Sequence, residues 1–173
     1  MCSLLEMPLH VERLQPSHLV SLVPRDEQPP TPIGMPGRQH LRLAVDDISE
    51  PLPGHTAPGE RHVRRLIEFM RGWQDGGQPE RPILVHCLAG ISRSMAAALI
   101  GLTLLEEGSE QDAARRMREA APHASPNRRI IALADQLLGR GGRLIRAREA
   151  MGDARITSTG PLVRLPLRTP VSR

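Results

Sequence analysis

Nine consecutive residues, His86-Cys87-Leu88-Ala89-Gly90-Ile91-Ser92-Arg93-Ser94, place one thiol and one guanidinium at the two ends of a short loop. Ahead of them Pro82-Ile83-Leu84-Val85 reads as a buried strand, and behind them residues 95–105 form an apolar run of good helix formers. A loop in that position wraps a helix N-terminus, where backbone N–H groups lack intrahelical partners and carry partial positive charge, so it can hold an oxyanion. Gly90 lets the backbone turn tightly. Arg93 offers a planar fork of donors that can grip two phosphate oxygens at once. Leu88, Ala89, Gly90, Ile91, Ser92 and Arg93 are therefore the candidate phosphate-binding residues, with Cys87 at the floor of the loop.

The same field favours thiolate over thiol, and a thiolate is the nucleophilic form. Attack on phosphorus would give a cysteinyl-phosphate, which water then hydrolyses. Ser94 is placed to stabilise the departing thiolate, and His86 to orient the loop backbone and add to the acidity of the sulfur. A cysteine ending an apolar strand is often inert, and Cys-x5-Arg alone recurs by chance. The joint presence of His86, Gly90, Ser92 and Ser94 between a strand and a helix favours the catalytic reading.

This stretch resembles the signature of the cysteine-dependent protein tyrosine phosphatases, and Ala89 with Ile91 makes it most similar to the dual-specificity branch. The chain as a whole resembles small bacterial tyrosine-phosphatase-like proteins. Ser125-Pro126-Asn127 also resembles a dual-specificity stretch, so the likeness covers about residues 1–150. The resemblance implies an α/β fold with a central, mostly parallel sheet flanked by helices, and a phosphomonoesterase that needs no cofactor and no metal. It also implies a general acid on a loop upstream of the cysteine, a role generally worth about 10² to 10⁴ in rate. The alternating strand over residues 40–45 ends in Asp46-Asp47-Ile48. Asp47 is preferred as the acid because Asp-Ile followed by Ser49-Glu50-Pro51 resembles the bacterial members; Asp46 is the alternative and Glu50 a distant third. Both aspartates could instead only cap the turn. Residues 48–57, with Pro51, Pro53 and Gly54, read as a lid-like loop.

With 173 residues and 39% hydrophobic content the chain suits one domain, set here at residues 1–153, followed by a disordered basic tail over 154–173. All 23 basic side chains are arginine, a bias read as the imprint of a GC-rich bacterial genome. Residues 1–153 carry 19 arginines and 19 acids, so the net charge of +4 comes from Arg155, Arg164, Arg168 and Arg173. A neutral body argues against nucleic acid as the partner. No run is long enough to span a bilayer and no secretory signal is evident, which makes a cytoplasmic location the default. The two cysteines do not suggest a disulfide framework, and Cys2 reads as a bystander rather than a redox partner.

Elements are expected at residues 1–6 and 17–23 (strands), at 10–14 (a turn or short helix) and at 58–73 (a helix with Val63, Leu66, Ile67, Met70 and Trp73 on one face). Asp75-Gly76-Gly77 leads into the strand before the loop. A helix capped by Ser109 follows Gly108, another starts at Ser125-Pro126, and a last one covers 143–151. Residues 24–39, with five prolines, read as a surface loop, and His62 as solvent-facing. A phosphorylated protein is the expected substrate and partner. A non-protein phosphate ester (inositol, lipid or RNA 5′ phosphate) is the alternative, and a non-catalytic phosphate-binding module a third reading. The near absence of aromatics, one Trp, one Phe and no Tyr, leaves tyrosine selectivity open, as does the oligomeric state.

Overall fold

The computed structural model describes residues 1–76, 81–106 and 109–168; Gly77, Gly108, Pro170 and Arg173, all invoked above, lie outside the described residues. The elements run β1 (Cys2–Ser3), α1 (Met7–Leu14), β2 (His18–Val23), β3 (His40–Ala44), α2 (Glu60–Asp75), β4 (Ile83–Cys87), α3 (Arg93–Leu105), α4 (Glu110–Ala120), α5 (Arg128–Leu137) and α6 (Arg143–Ala150). The four strands form one parallel sheet in the order β1-β4-β2-β3. The α/β architecture with a parallel sheet flanked by helices is as expected.

Alternation along each strand divides the side chains between two faces. Val20, Leu22, Leu41, Leu43, Val85 and Cys87 belong to the main core with residues of α2 to α6. Leu19, Leu84 and Cys2 pack with Met7 of α1 on the other face. Helix α3 is buried along most of its length, from Arg93 to Thr103, which explains why its sequence is apolar on every side. Parallel strands put all their carboxyl ends on one edge of the sheet, so the segment after β3, with Asp46 and Asp47, and the segment after β4 emerge on the same edge with β2 between them. The crevice outside the carboxyl ends is where open α/β sheets bind ligands.

Three expectations change. The first strand is two residues long, because Pro8 in the first turn starts helix α1 at Met7, with Met7 and His10 facing inward. Helix α5 starts at Arg128 rather than at Ser125, because the Asn127 side chain accepts the Ile130 N–H at 3.0 Å and acts as the cap. Residues 154–168, read from composition as the start of a disordered tail, have a defined course. Val163 is buried in the main core, Leu165 and Leu167 pack against it, and Met1 and Val163 exchange backbone hydrogen bonds at 2.9 and 2.6 Å. Arg116 of α4 donates to the Pro166 carbonyl, and Arg168, one of the arginines that gave the segment its basic look, donates to Asp112.

Candidate active site

The loop after β4 is shaped by what its carbonyls do. Leu88 C=O accepts from Leu4 N–H (3.1 Å), Ala89 C=O from Gly160 (2.8 Å), Ile91 C=O from Ser125 (3.0 Å), and Ser92 C=O from Ala96 (2.9 Å) and Asn127 (3.3 Å). Each peptide is planar and trans, so a carbonyl turned outward turns the next N–H inward. The N–H groups of Ala89, Gly90, Ser92 and Arg93 therefore converge on the concave side, and Gly90 N–H reaches Cys87 Sγ at 3.2 Å. Gly90 has φ +73°, and a Cβ there would lie 2.8 Å from the Cys2 carbonyl carbon, so only glycine lets the loop sit against β1.

Cys87 is 1% exposed, and its Sγ lies 3.3 Å from the buried Ser94 hydroxyl. Arg93, the first residue of α3, is buried too. Its Nη1 donates to Val45 C=O at 2.7 Å, while Nε has no hydrogen-bond partner among the described residues and lies 3.8 Å from Asp47 Oδ2. A buried guanidinium donor left unpaired beside converging amides suits an oxyanion.

The adjacent aspartates part company. Asp46 accepts Thr56 N–H at 2.7 Å, gives its own N–H to Thr56 C=O at 2.8 Å, and lies 3.8 Å from His55, so it closes the base of the 46–56 loop. Asp47 turns to the loop after β4 instead: Oδ1 accepts from the Ser92 hydroxyl at 2.7 Å and from Asn127 Nδ2 at 2.8 Å. One carboxylate oxygen is thus anchored twice, leaving Oδ2 on the side of Arg93.

His86 is fully buried on the α1 side of the sheet, and burial pushes its imidazole down to about 4. Its Nε2 lies 2.6 Å from Ser21 Oγ. Cys2 is packed on that same face, opposite to Cys87, and burial pushes its thiol up to about 12, which fits a bystander. His62 caps α2, its Nδ1 accepting Gly59 N–H at 3.0 Å, and so has a structural task rather than a solvent-facing one. A cavity of about 730 Å³ beside Met70, Trp73, Leu102 and Leu105 shares no residue with the loop. No helix among the described residues is long and apolar enough to cross a membrane.

Two participants were invisible in the sequence. Asn127, the single asparagine, gave a signal only as a helix cap; its contact with Asp47 spans 80 positions. Gly160, in the supposed tail, gave none, yet it holds the loop at Ala89. A Cβ on Gly160 would meet His123 Nε2 at 2.5 Å and Gly90 C=O at 2.8 Å.

The family model for protein-tyrosine phosphatase matches residues 53–124, a span that includes Cys87 and Arg93. No curated protein matches the chain. Among solved structures, DUSP15 superimposes with a TM-score of 0.62 at 19% identity, covering 87% of this chain and 88% of that one. Human DUSP28 gives 0.57 at 22% identity with the same coverages of 87% and 88%. The PTP-2 phosphatase of Cydia pomonella gives 0.55 at 17% identity, covering 77% and 78%. At these identities the structural likeness is one of fold. Over the loop the chain is thus similar to the protein-tyrosine phosphatase family, and in fold it is similar to dual-specificity phosphatases.

Proposed function

We propose that the protein hydrolyses phosphomonoesters on phosphorylated protein side chains through a cysteinyl-phosphate. The observation that carries this reading is the arrangement of the loop: Gly90 N–H and the Ser94 hydroxyl lie against Cys87 Sγ, and at the other end of the loop Arg93 Nε is without a hydrogen-bond partner beside the Asp47 carboxyl. The dianionic phosphate sits on the amides of residues 89–93 and on Arg93. Cys87 Sγ attacks phosphorus opposite the ester oxygen; the P–S bond forms as the P–O bond breaks, and Asp47 Oδ2 gives its proton to the leaving oxygen. In the second half Asp47, now ionised, takes a proton from water as that water attacks phosphorus. The P–S bond breaks, and the Ser94 hydroxyl, 3.3 Å from the sulfur, donates to the departing thiolate. A protein substrate suits a cup whose side chains Leu88, Ala89 and Ile91 are apolar and whose rim lacks a basic run, because a polyphosphorylated ligand would want more cations.

The test is phosphate release from phenyl phosphate and from phosphotyrosine, phosphoserine and phosphothreonine peptides, at pH 5 to 8 with chelator present. Turnover by wild type that vanishes in Cys87→Ser, with peptides outperforming inositol phosphates, is the expected result. Folded wild type that binds phosphate without releasing it from any ester would overturn the proposal.

A further inference from the structure

Behind the loop a file of polar side chains crosses the α1 face of the sheet. Arg42 Nη2 donates to Thr31 Oγ1 at 2.8 Å, Thr31 Oγ1 lies 3.0 Å from His40 Nδ1, His40 Nε2 lies 2.8 Å from Ser21 Oγ, and Ser21 Oγ lies 2.6 Å from His86 Nε2. Ser21 sits between its register partners Arg42 on β3 and His86 on β4. His40, Ser21 and His86 are 7%, 0% and 0% exposed, and burial, aided by Arg42 at His40, pushes both imidazoles down to about 4. At neutral pH each ring therefore carries one proton, and the positive charges facing the file are Arg42 at its outer end and Arg93 at its inner end.

An arginine can only donate. With Thr31 Oγ1 accepting from Arg42, the Thr31 hydroxyl keeps its own proton free to give to His40 Nδ1. His40 is then the Nε2–H tautomer and donates to Ser21, whose hydroxyl proton goes to His86 Nε2. His86 is left with its proton on Nδ1, a buried ring nitrogen with no hydrogen-bond partner among the described residues and with the Cys87 backbone as its neighbour. We propose that Arg42, Thr31, His40 and Ser21 form a one-directional hydrogen-bond chain that fixes His86 in the Nδ1–H tautomer and so positions the backbone beneath the nucleophile. Arg42 and Thr31 are thus positioning residues that act on Cys87 from the far side of the sheet. The role of Cys87 as nucleophile rests on the function proposed above, but the tautomer and the thiol's reactivity do not require turnover.

Two readouts on the full chain test this. In ¹H–¹⁵N spectra optimised for two-bond ring couplings, His86 should show the Nδ1–H pattern and His40 the Nε2–H pattern, and Thr31→Val should mix the tautomers of His86. In parallel, the rate of Cys87 alkylation by iodoacetamide is followed from pH 5 to 9, with adducts located by peptide mapping. Thr31→Val and Arg42→Leu should each slow alkylation at pH 6 at least threefold, with melting temperature unchanged, and Thr31→Ser should restore the wild-type rate. A wild-type alkylation profile in folded Thr31→Val and Arg42→Leu, or an Nε2–H pattern for His86, would overturn the chain even in an active phosphatase. A shifted profile in a protein that hydrolyses nothing would support the chain and refute only the proposed function.

Discussion

Asn127 does two jobs with one amide, and Asn127→Asp separates them. Its Oδ1 caps α5 through Ile130 N–H, while its Nδ2 holds Asp47 at 2.8 Å. Aspartate is as good a cap as asparagine, so the helix keeps a contribution that is typically ~1 kcal/mol. The contact with Asp47 changes sign, from a donor on a carboxylate to a second carboxylate. Two like charges ~4 Å apart repel by about 1 kcal/mol in water and about 4 at an effective dielectric near 20. The Asp47 side chain is 37% exposed, which argues for the lower half of that range, about 1–2 kcal/mol, beside the ~1.5–3 kcal/mol of a hydrogen bond to a charged group now lost. Asp47 should leave its place beside Ser92. Misplacement worth about 1.4–2.7 kcal/mol in the transition state lowers kcat roughly 10- to 100-fold. The assay compares phenyl phosphate, whose leaving group needs the proton, with 4-nitrophenyl phosphate, which needs it less. The fall should be steep on the first and shallow on the second, with the melting temperature within a few degrees of wild type. Asn127→Ala, losing both jobs, should also melt earlier. Wild-type kcat on phenyl phosphate in folded Asn127→Asp would refute the placement of the acid.

Two further outcomes follow from the buried groups. His40 and His86 are held near 4 against an ordinary 6.5, so the unfolded chain binds more protons between those values and stability falls as pH drops from about 6.5 to 4. The loss is about 2 kcal/mol per ring by pH 5, measured as a lower urea midpoint; a midpoint that is flat from pH 7 to 5 would contradict it. Gly160→Ala forces a methyl against His123 and the Gly90 carbonyl, an overpacking that generally costs about 1–3 kcal/mol, and should lower both the melting temperature and kcat, whereas Thr159→Ala leaves both unchanged.

What could be read from the sequence was local. The loop was legible because its chemistry lies in nine adjacent residues, and the helices because their stripes repeat within a few turns. Asp46 and Asp47 share a strand end and a spacing, so residue type could not separate them. They differ only in their partners, Thr56 for one and Ser92 with Asn127 for the other. The course of residues 154–168 was hidden for a related reason. Pro161, Pro166 and the arginines mimic the composition of a disordered segment, while the contacts that order it, to Met1, Ala89 and Arg116, lie far back in the chain. His40 and Ser21 looked like ordinary strand residues, since nothing in an alternating pattern says that two imidazoles on different strands share one hydroxyl.

Outside helix α3, the outward carbonyls of the loop after β4 draw their donors from residues 4, 125, 127 and 160. Half of that set precedes or follows almost everything else in the fold, so the cup is among the last features the polypeptide can complete. During synthesis the sheet and most helices can condense while residues near 160 are still in the ribosome, yet the Ala89 carbonyl then has no partner and the Gly90 amide no fixed aim at the sulfur. Contacts of such long sequence separation also form late in refolding, because the loops between them must close first. The chain therefore orders its own assembly: the turn around Cys87 is complete only after the body that shields it has been built.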